Sequence, residues 1–220
     1  MLEQPDKGPV RFPSGRSVPA RFIDVGCGDG RKTSAMASAW RLDPDKAIGM
    51  DIVKPDAAPE NITFLKMSPE GMPAGIDPDS QDLALVSMVL HHANDTEVTA
   101  LLRSIHSALP PGGYLVVRDH NADPDLGLAD FLDTVHIFYD SVFLGVRCMP
   151  NAQNYKSLAA WHAIFETEGF AVVRTDYVPF STDAAKGDAR NTGENFTCVL
   201  KKKQPDAGNV SVVALSTGRS

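Results

Sequence analysis

Cysteine is scarce in this chain. Cys27, Cys148 and Cys198 stand far apart, and no two form a C-x-x-C pair. That argues against a disulfide framework and against a structural zinc site of the usual spacing, and it suits a reduced, cytoplasmic compartment. Long apolar runs are also missing. None approaches about 18 residues, so no segment reads as a membrane span. The first twenty residues lack an apolar h-region and carry prolines and charges instead, so no signal peptide is visible. Positive charge is in deficit, with 21 Lys and Arg against 28 Asp and Glu and a formal net charge of −7. A general grip on nucleic-acid phosphate is therefore not expected. Lys7, Arg11, Arg16, Arg21, Arg31 and Lys32 do crowd the start of the chain, where they read as a solvated basic segment.

What remains is ordinary for a globular protein: 220 residues, 43% apolar and 22% charged. This is enough for one domain around one substantial core. No internal repeat is present. Residues 1–19 hold four prolines and no periodicity, and read as a flexible basic arm. Residues 204–220 read as a tail without regular structure, although "VSVVAL" could add a strand.

Between these ends, over residues 20–203, short apolar runs alternate with helical patterns. "RFIDVG", "AIGMDIV", "ITFLKM", "DLALVSMVL" and "YLVVRD" have the character of buried parallel strands. Asn94 and Glu97 form a capping box before Val98, Leu101, Leu102, Ile105 and Leu109, which share one helix face. "LPPGG" stops that helix. A helix near 125–144, another near 157–168 closed by Gly169, and strands at "FAVVRTDY" and "NFTCVL" follow. The last two strands read as an antiparallel pair, because a loop rather than a clear helix joins them. Strands alternating with helices predict a doubly wound α/β sheet with ligands at the strand C-terminal ends.

The chemistry begins at "FIDVGCGDG", residues 22–30. A strand, a glycine turn and the helix formers of "RKTSAMASAW" let bare backbone approach a ligand closely at a helix start. Asp51 ends the next strand, where a carboxylate can accept both hydroxyls of an adenosine ribose. The dinucleotide pattern G-x-G-x-x-G would need glycine at position 31, where this chain has Arg31. An NAD-dependent oxidoreductase is disfavoured on that ground. The spacing is G-x-G-x-G, with Asp24 two residues before Gly26.

This loop resembles motif I of the class I S-adenosylmethionine-dependent methyltransferases. The likeness continues through Asp51, "DLALVSMVLHH", "LPPGGYLVV" and the final strand pair, over about residues 20–201. It implies a Rossmann-like, mostly parallel seven-stranded sheet with an antiparallel last strand and helices on both faces. It also implies S-adenosyl-L-methionine as cofactor and S-adenosyl-L-homocysteine as product. By the same resemblance, Asp24, Gly26, Cys27, Gly28 and Gly30 hold the methionine part. Asp51 and Ile52 hold the ribose side, Met67 and Ser68 the adenine, and Ser87 and Met88 the floor under the sulfur. Many relatives have Asp where this chain has Ser68, so adenine recognition departs there.

Methyl transfer needs alignment and the handling of one proton, so a dedicated base is optional. His91 and His92 follow the fourth strand, where a histidine could take that proton. His120, after Arg118 and Asp119, ends the fifth strand. His136 shares a helix face with Asp133 and Asp140, near Tyr139. These four histidines are the catalytic candidates. The Asp/His set reads as a hydrogen-bonded polar seam, with no metal. "SMVL" in place of an "NPPY"-like run counts against amino-methylation of DNA bases or amide side chains. No Lys-Asp-Lys-Glu set of the kind that ribose methylation of RNA requires falls at the strand ends. The acceptor stays open among a small-molecule O or N atom, RNA and a protein side chain. A cofactor-binding subunit or regulator without transferase activity is the alternative. The short arm leaves the lid to the 121–160 insertion, a partner subunit such as a homodimer mate, or a longer protein.

Overall fold

The computed structural model describes residues 11–68, 71–73, 75–122, 127–139, 154–178 and 195–204, apart from the side chains of residues 131, 136–139 and 178. In chain order the elements are β1 (Phe22–Val25), α1 (Arg31–Trp40), β2 (Ala47–Asp51), β3 (Thr63–Lys66), β4 (Leu83–Ser87), α2 (Asp95–Ala108), β5 (Tyr114–His120), α3 (Leu128–Tyr139), α4 (Leu158–Thr167), β6 (Phe170–Val178) and β7 (Asn195–Lys202). Residues 1–10, most of the tail, Cys148 and much of the 121–160 insertion, Asp140 included, lie outside the described residues.

The strands join in one seven-stranded sheet of order β3-β2-β1-β4-β5-β7-β6. β1 to β5 run parallel, while β7 is antiparallel to both β5 and β6. Right-handed crossovers from β1 toward β2 and from β4 toward β5 go in opposite directions, so their helices cover opposite faces. The alternation within β1 shows both faces. Phe22 packs with Ala37 and stands edge-on to Trp40 of α1, with ring centroids 5.1 Å apart. Ile23 and Val25 join the larger core with Leu101, Leu102 and Ile105 of α2 and Trp161 and Phe165 of α4. Each fully buried side chain of this kind contributes roughly 1.5–3 kcal/mol. On the α1 face, Phe12 of the arm meets Tyr114 edge-on at 5.7 Å.

The predicted capping box is present. Asn94 Oδ1 accepts from the Thr96 and Glu97 amides, and Glu97 Oε2 accepts from the Asn94 amide. Strand order reverses between β1 and β4, so their C-terminal ends diverge into a crevice where α/β sheets hold ligands.

Candidate functional site

The crevice is built on the glycine loop. Gly26, Gly28 and Gly30 all have positive φ, at 73°, 59° and 77°. The loop is locked to β2 by the Gly26 and Cys27 amides, which donate to Met50 O at 2.7 and 2.9 Å. At Gly26 a Cβ would drive into Val89 Cγ2, so glycine is required by contact as well as by φ. At Gly28 a Cβ would meet nothing within 4 Å. There the bare backbone faces an open hollow of about 260 Å³, lined also by Asp24, Cys27, Asp29, Lys32 and Ser87.

Two carboxylates flank the loop. Asp51 at the end of β2 accepts from the Gly28 amide at 2.7 Å and the Val53 amide at 3.1 Å. Asp24, in β1, is only 6% exposed, and Thr33 Oγ1 donates to it at 2.6 Å. Burial raises the Asp24 carboxyl above its ordinary value, against the opposing effects of the Thr33 hydrogen bond and the Lys32 charge. The Cys27 thiol is pushed up to about 12 by burial and by the charges of Asp24 and Asp51. It is therefore protonated at neutral pH and is not a nucleophile.

This donor set fits the cofactor that the resemblance implies. A buried carboxylate faces a hollow of amino-acid size, and bare backbone at Gly28 leaves room for close approach. A second carboxylate, Asp51, stands at the end of β2 beside the exposed apolar Ile52 (54%). Met67 donates its amide to Asp51 O at 2.9 Å while its side chain joins the core. Ser68 is exposed next to it.

Ser87 closes the hollow from β4, and Met88 turns the chain away with a φ of 60°. Such strain at a strand end is typical of binding sites. The Met88 amide donates to Arg118 O at 2.8 Å. A short 3₁₀ turn over Leu90–His92 follows. His91 is buried and His92 exposed, with their rings 3.9 Å apart. His120 is buried 4.7 Å from His91, and the Tyr155 ring stacks on His91 at 5.7 Å.

Asp119 organises this wall. It accepts from His91 Nδ1 at 2.6 Å, from the Leu90 amide at 2.9 Å and from the His120 amide at 2.7 Å. Burial alone would raise its carboxyl. The His91 hydrogen bond and charge, with the His120 contacts, outweigh that and hold it below the ordinary range. Asn154, arriving after the insertion, donates its amide to His91 O at 2.6 Å and its side chain to Ala93 O and Asp95.

The structure thus brings together His91, His92 and His120. The side chain of His136 on α3 lies outside the described residues, and Asp133 on the same helix is buried. Among the described residues no group of three or more His, Cys, Asp or Glu side chains could hold a metal ion. The site list drawn from sequence omits Asp119, Tyr155 and Lys32. Asp119 was reachable only through register, since Ser87 pairs with Arg118 and the residues just beyond must then be neighbours, whereas no strand register reaches Tyr155, which follows the insertion.

Comparison with known proteins agrees with this geometry. The family described as "Methyltransferase domain" matches residues 3–175. The 2-ketoarginine methyltransferase of Streptomyces arginensis is 27% identical over 172 residues, covering 71% of this chain and 48% of its own. The chain thus spans about half the length of that curated relative. Among solved structures, an S-adenosylmethionine-dependent methyltransferase from Mesorhizobium loti aligns with a TM-score of 0.56 at 18% identity, covering 83% of this chain and 90% of its own. The 1,6-didemethyltoxoflavin-N1-methyltransferase of Burkholderia thailandensis, with 1,6-didemethyltoxoflavin and S-adenosylhomocysteine bound, gives 0.58 at 18% identity, covering 85% and 72%. At such identities the structural likeness is one of fold, and the family match carries the assignment. The chain belongs to the methyltransferase-domain family.

Proposed function

We propose that this domain moves a methyl group to an oxygen or nitrogen atom of a small molecule or RNA. The observation that carries this reading is the continuity of two surfaces. The glycine-loop hollow ends at Ser87, and within five residues the same chain presents the exposed His92 backed by His91, Asp119 and Tyr155. S-Adenosylmethionine supplies, when bound, a methyl group on a positively charged sulfur, so the donor is already activated. Asp24 and the loop hold its amino-acid end, Asp51 accepts from the ribose, and Ile52 with the backbone at Met67 and Ser68 borders the adenine. Ser87 and Met88 form the floor beside the acceptor.

His92 is exposed, and is the histidine placed to take a proton from an acceptor hydroxyl or amine. His91 and His120 stand buried behind it. Alignment provides most of the acceleration, so His92 adds to a rate that proximity already sustains. A small acceptor is favoured over RNA. The two relatives named for their substrates act on 2-ketoarginine and 1,6-didemethyltoxoflavin, and the net charge of −7 gives no general attraction for phosphate.

The test is methyl transfer from labelled cofactor, screened across a metabolite pool, RNA and protein extract. Labelled product in the metabolite pool is the expected result. Cofactor binding with no transfer to any pool would instead support a non-catalytic subunit or regulator. Binding of NAD without binding of S-adenosylhomocysteine would sink the reading altogether.

A further inference from the structure

We propose that Ser87, Arg118 and Thr197 form an acceptor subsite for a carboxylate, so that the methyl acceptor is a small carboxylic acid. This rests on the transfer reading above and names the class of its acceptor. The three residues stand side by side across the C-terminal end of the parallel strands. Ser87 of β4 pairs with Arg118 of β5, and Arg118 pairs with Thr197 of β7. Side chains alternate along a strand, so the residues two positions away settle which face these three take. Leu85, Val116 and Val199 all pack on the core cluster of the α1 side. Ser87, Arg118 and Thr197 therefore share that side, and Ser87 also borders the glycine-loop hollow. Neighbouring strands lie about 4.8 Å apart. Arg118 is thus one strand beyond the hollow, and Thr197 two.

This row offers donors and lacks a free anion. Among the described residues, none of the three side chains has a hydrogen bond or an ion pair. Arg118 is exposed, while Ser87 and Thr197 are half-buried. The next position in the row is Asp176 of β6, opposite Thr197. Arg174 already holds that carboxylate, with Nε at 2.7 Å and Nη2 at 2.9 Å. The positive charge of Arg118 is left for a ligand. A guanidinium is a rigid planar fork that matches a carboxylate through two parallel hydrogen bonds. The hydroxyls on either side can each add one donor. One positive charge between two neutral hydroxyls suits a monoanion better than a phosphate dianion, and the net charge of −7 adds no attraction for phosphate. An acid held at Arg118 by its carboxylate turns the rest of its body back toward Ser87 and the cofactor. The carboxylate is the anchor, and another atom receives the methyl group.

Methyl transfer by the full chain from labelled cofactor to a metabolite pool tests this. One portion of the pool is amidated with carbodiimide and ethanolamine, which removes carboxylates. A second is treated with phosphatase, and a third is left untreated. Amidation should abolish the labelled product, while phosphatase should leave it as in the untreated pool. With that acceptor in hand, Arg118→Ala should raise KM by about tenfold, the loss of one charge-assisted pairing. Its kcat should change little, because the anchor holds ground state and transition state alike. Arg118→Lys should recover part of the loss, and Thr197→Val should raise KM by less. Arg103→Ala, which removes an equal charge from α2, should leave KM as in the wild type. Arg118 is exposed, so its variants should keep the melting temperature and the S-adenosylhomocysteine affinity of the wild type, which separates acceptor binding from misfolding. Undiminished transfer to the amidated pool, loss of product with phosphatase, or an unaltered KM in Arg118→Ala overturns the carboxylate subsite and leaves the transfer reading intact. Absence of transfer to any portion overturns both.

Discussion

Asp24, on the lining of the glycine-loop hollow, costs the fold stability. Burial raises its carboxyl above the ordinary value of 3.8, and the Thr33 hydrogen bond and Lys32 charge offset this only in part. The folded chain therefore holds the Asp24 proton more tightly than the unfolded chain does. At pH above both its folded and its unfolded value, where the group is ionised in both states, its desolvation is a net penalty on folding. That penalty disappears as pH falls from the raised value toward 3.8. Asp24→Asn keeps an acceptor for Thr33 and removes the charge. We expect it to raise the midpoint of chemical denaturation at pH 7, with the gain shrinking in the acidic window, and to weaken S-adenosylhomocysteine binding at the same time. Lower stability at pH 7 in Asp24→Asn would contradict the burial argument. The position of Asp24 near the end of a strand was legible in the sequence, because an acid just before G-x-G-x-G is a local pattern. The sequence could not show that the residue is buried, since burial depends on how α1 folds back over β1.

At the scale of elements, the ends of β4 and β5 are fastened to each other through Asp119. Its carboxylate serves the 3₁₀ turn after β4 through Leu90 and His91, and its own strand through the His120 amide. Removing one partner of a buried, hydrogen-bonded charge pair typically costs about 3–5 kcal/mol. Asp119→Ala should lose stability on that scale in urea denaturation, and Asp119→Asn less, since an amide oxygen still accepts. The Asp119 carboxyl is held below its ordinary value, the reverse of Asp24. Its contribution is present above pH 3.8 and is lost as pH falls through its depressed value. A fall of less than about 1 kcal/mol in Asp119→Ala would show that the contact carries little load. None of this is local in sequence. His91 and Asp119 lie 28 residues apart, and "DLALVSMVL" reads as one apolar strand through Leu90. The strand in fact stops at Ser87, because Met88 enters the left-handed region and hands its amide to Arg118. The capping box of α2, by contrast, was legible residue by residue, because every group in it lies within four positions.

For the whole molecule, alternating hydrophobic runs were enough to predict a doubly wound sheet, and the reversal of strand order at β1 and β4 then dictates where a ligand sits. The antiparallel pairing of β6 with β7 was legible from the loop that joins them, while the antiparallel placement of β7 beside β5 rested on family likeness. The site joins β1, β2 and β4 with the turns that follow them, so a ligand seated there bridges parts of the chain that folding brings together from residues 24 to 87. It binds the folded state and has no equivalent partner in the unfolded chain. S-Adenosylhomocysteine at a hundred times its dissociation constant should therefore add about 2.7 kcal/mol of stability. For a domain of this length that is a rise of roughly 5–10 °C in melting temperature. NAD at the same concentration should give no rise. Asp51→Ala withdraws the acceptor of the Gly28 amide and the carboxylate proposed to receive the ribose, and should weaken binding by about 1–3 kcal/mol. At the same ligand concentration its melting shift should shrink accordingly. An undiminished shift in Asp51→Ala would mean that the ligand is held elsewhere in the molecule.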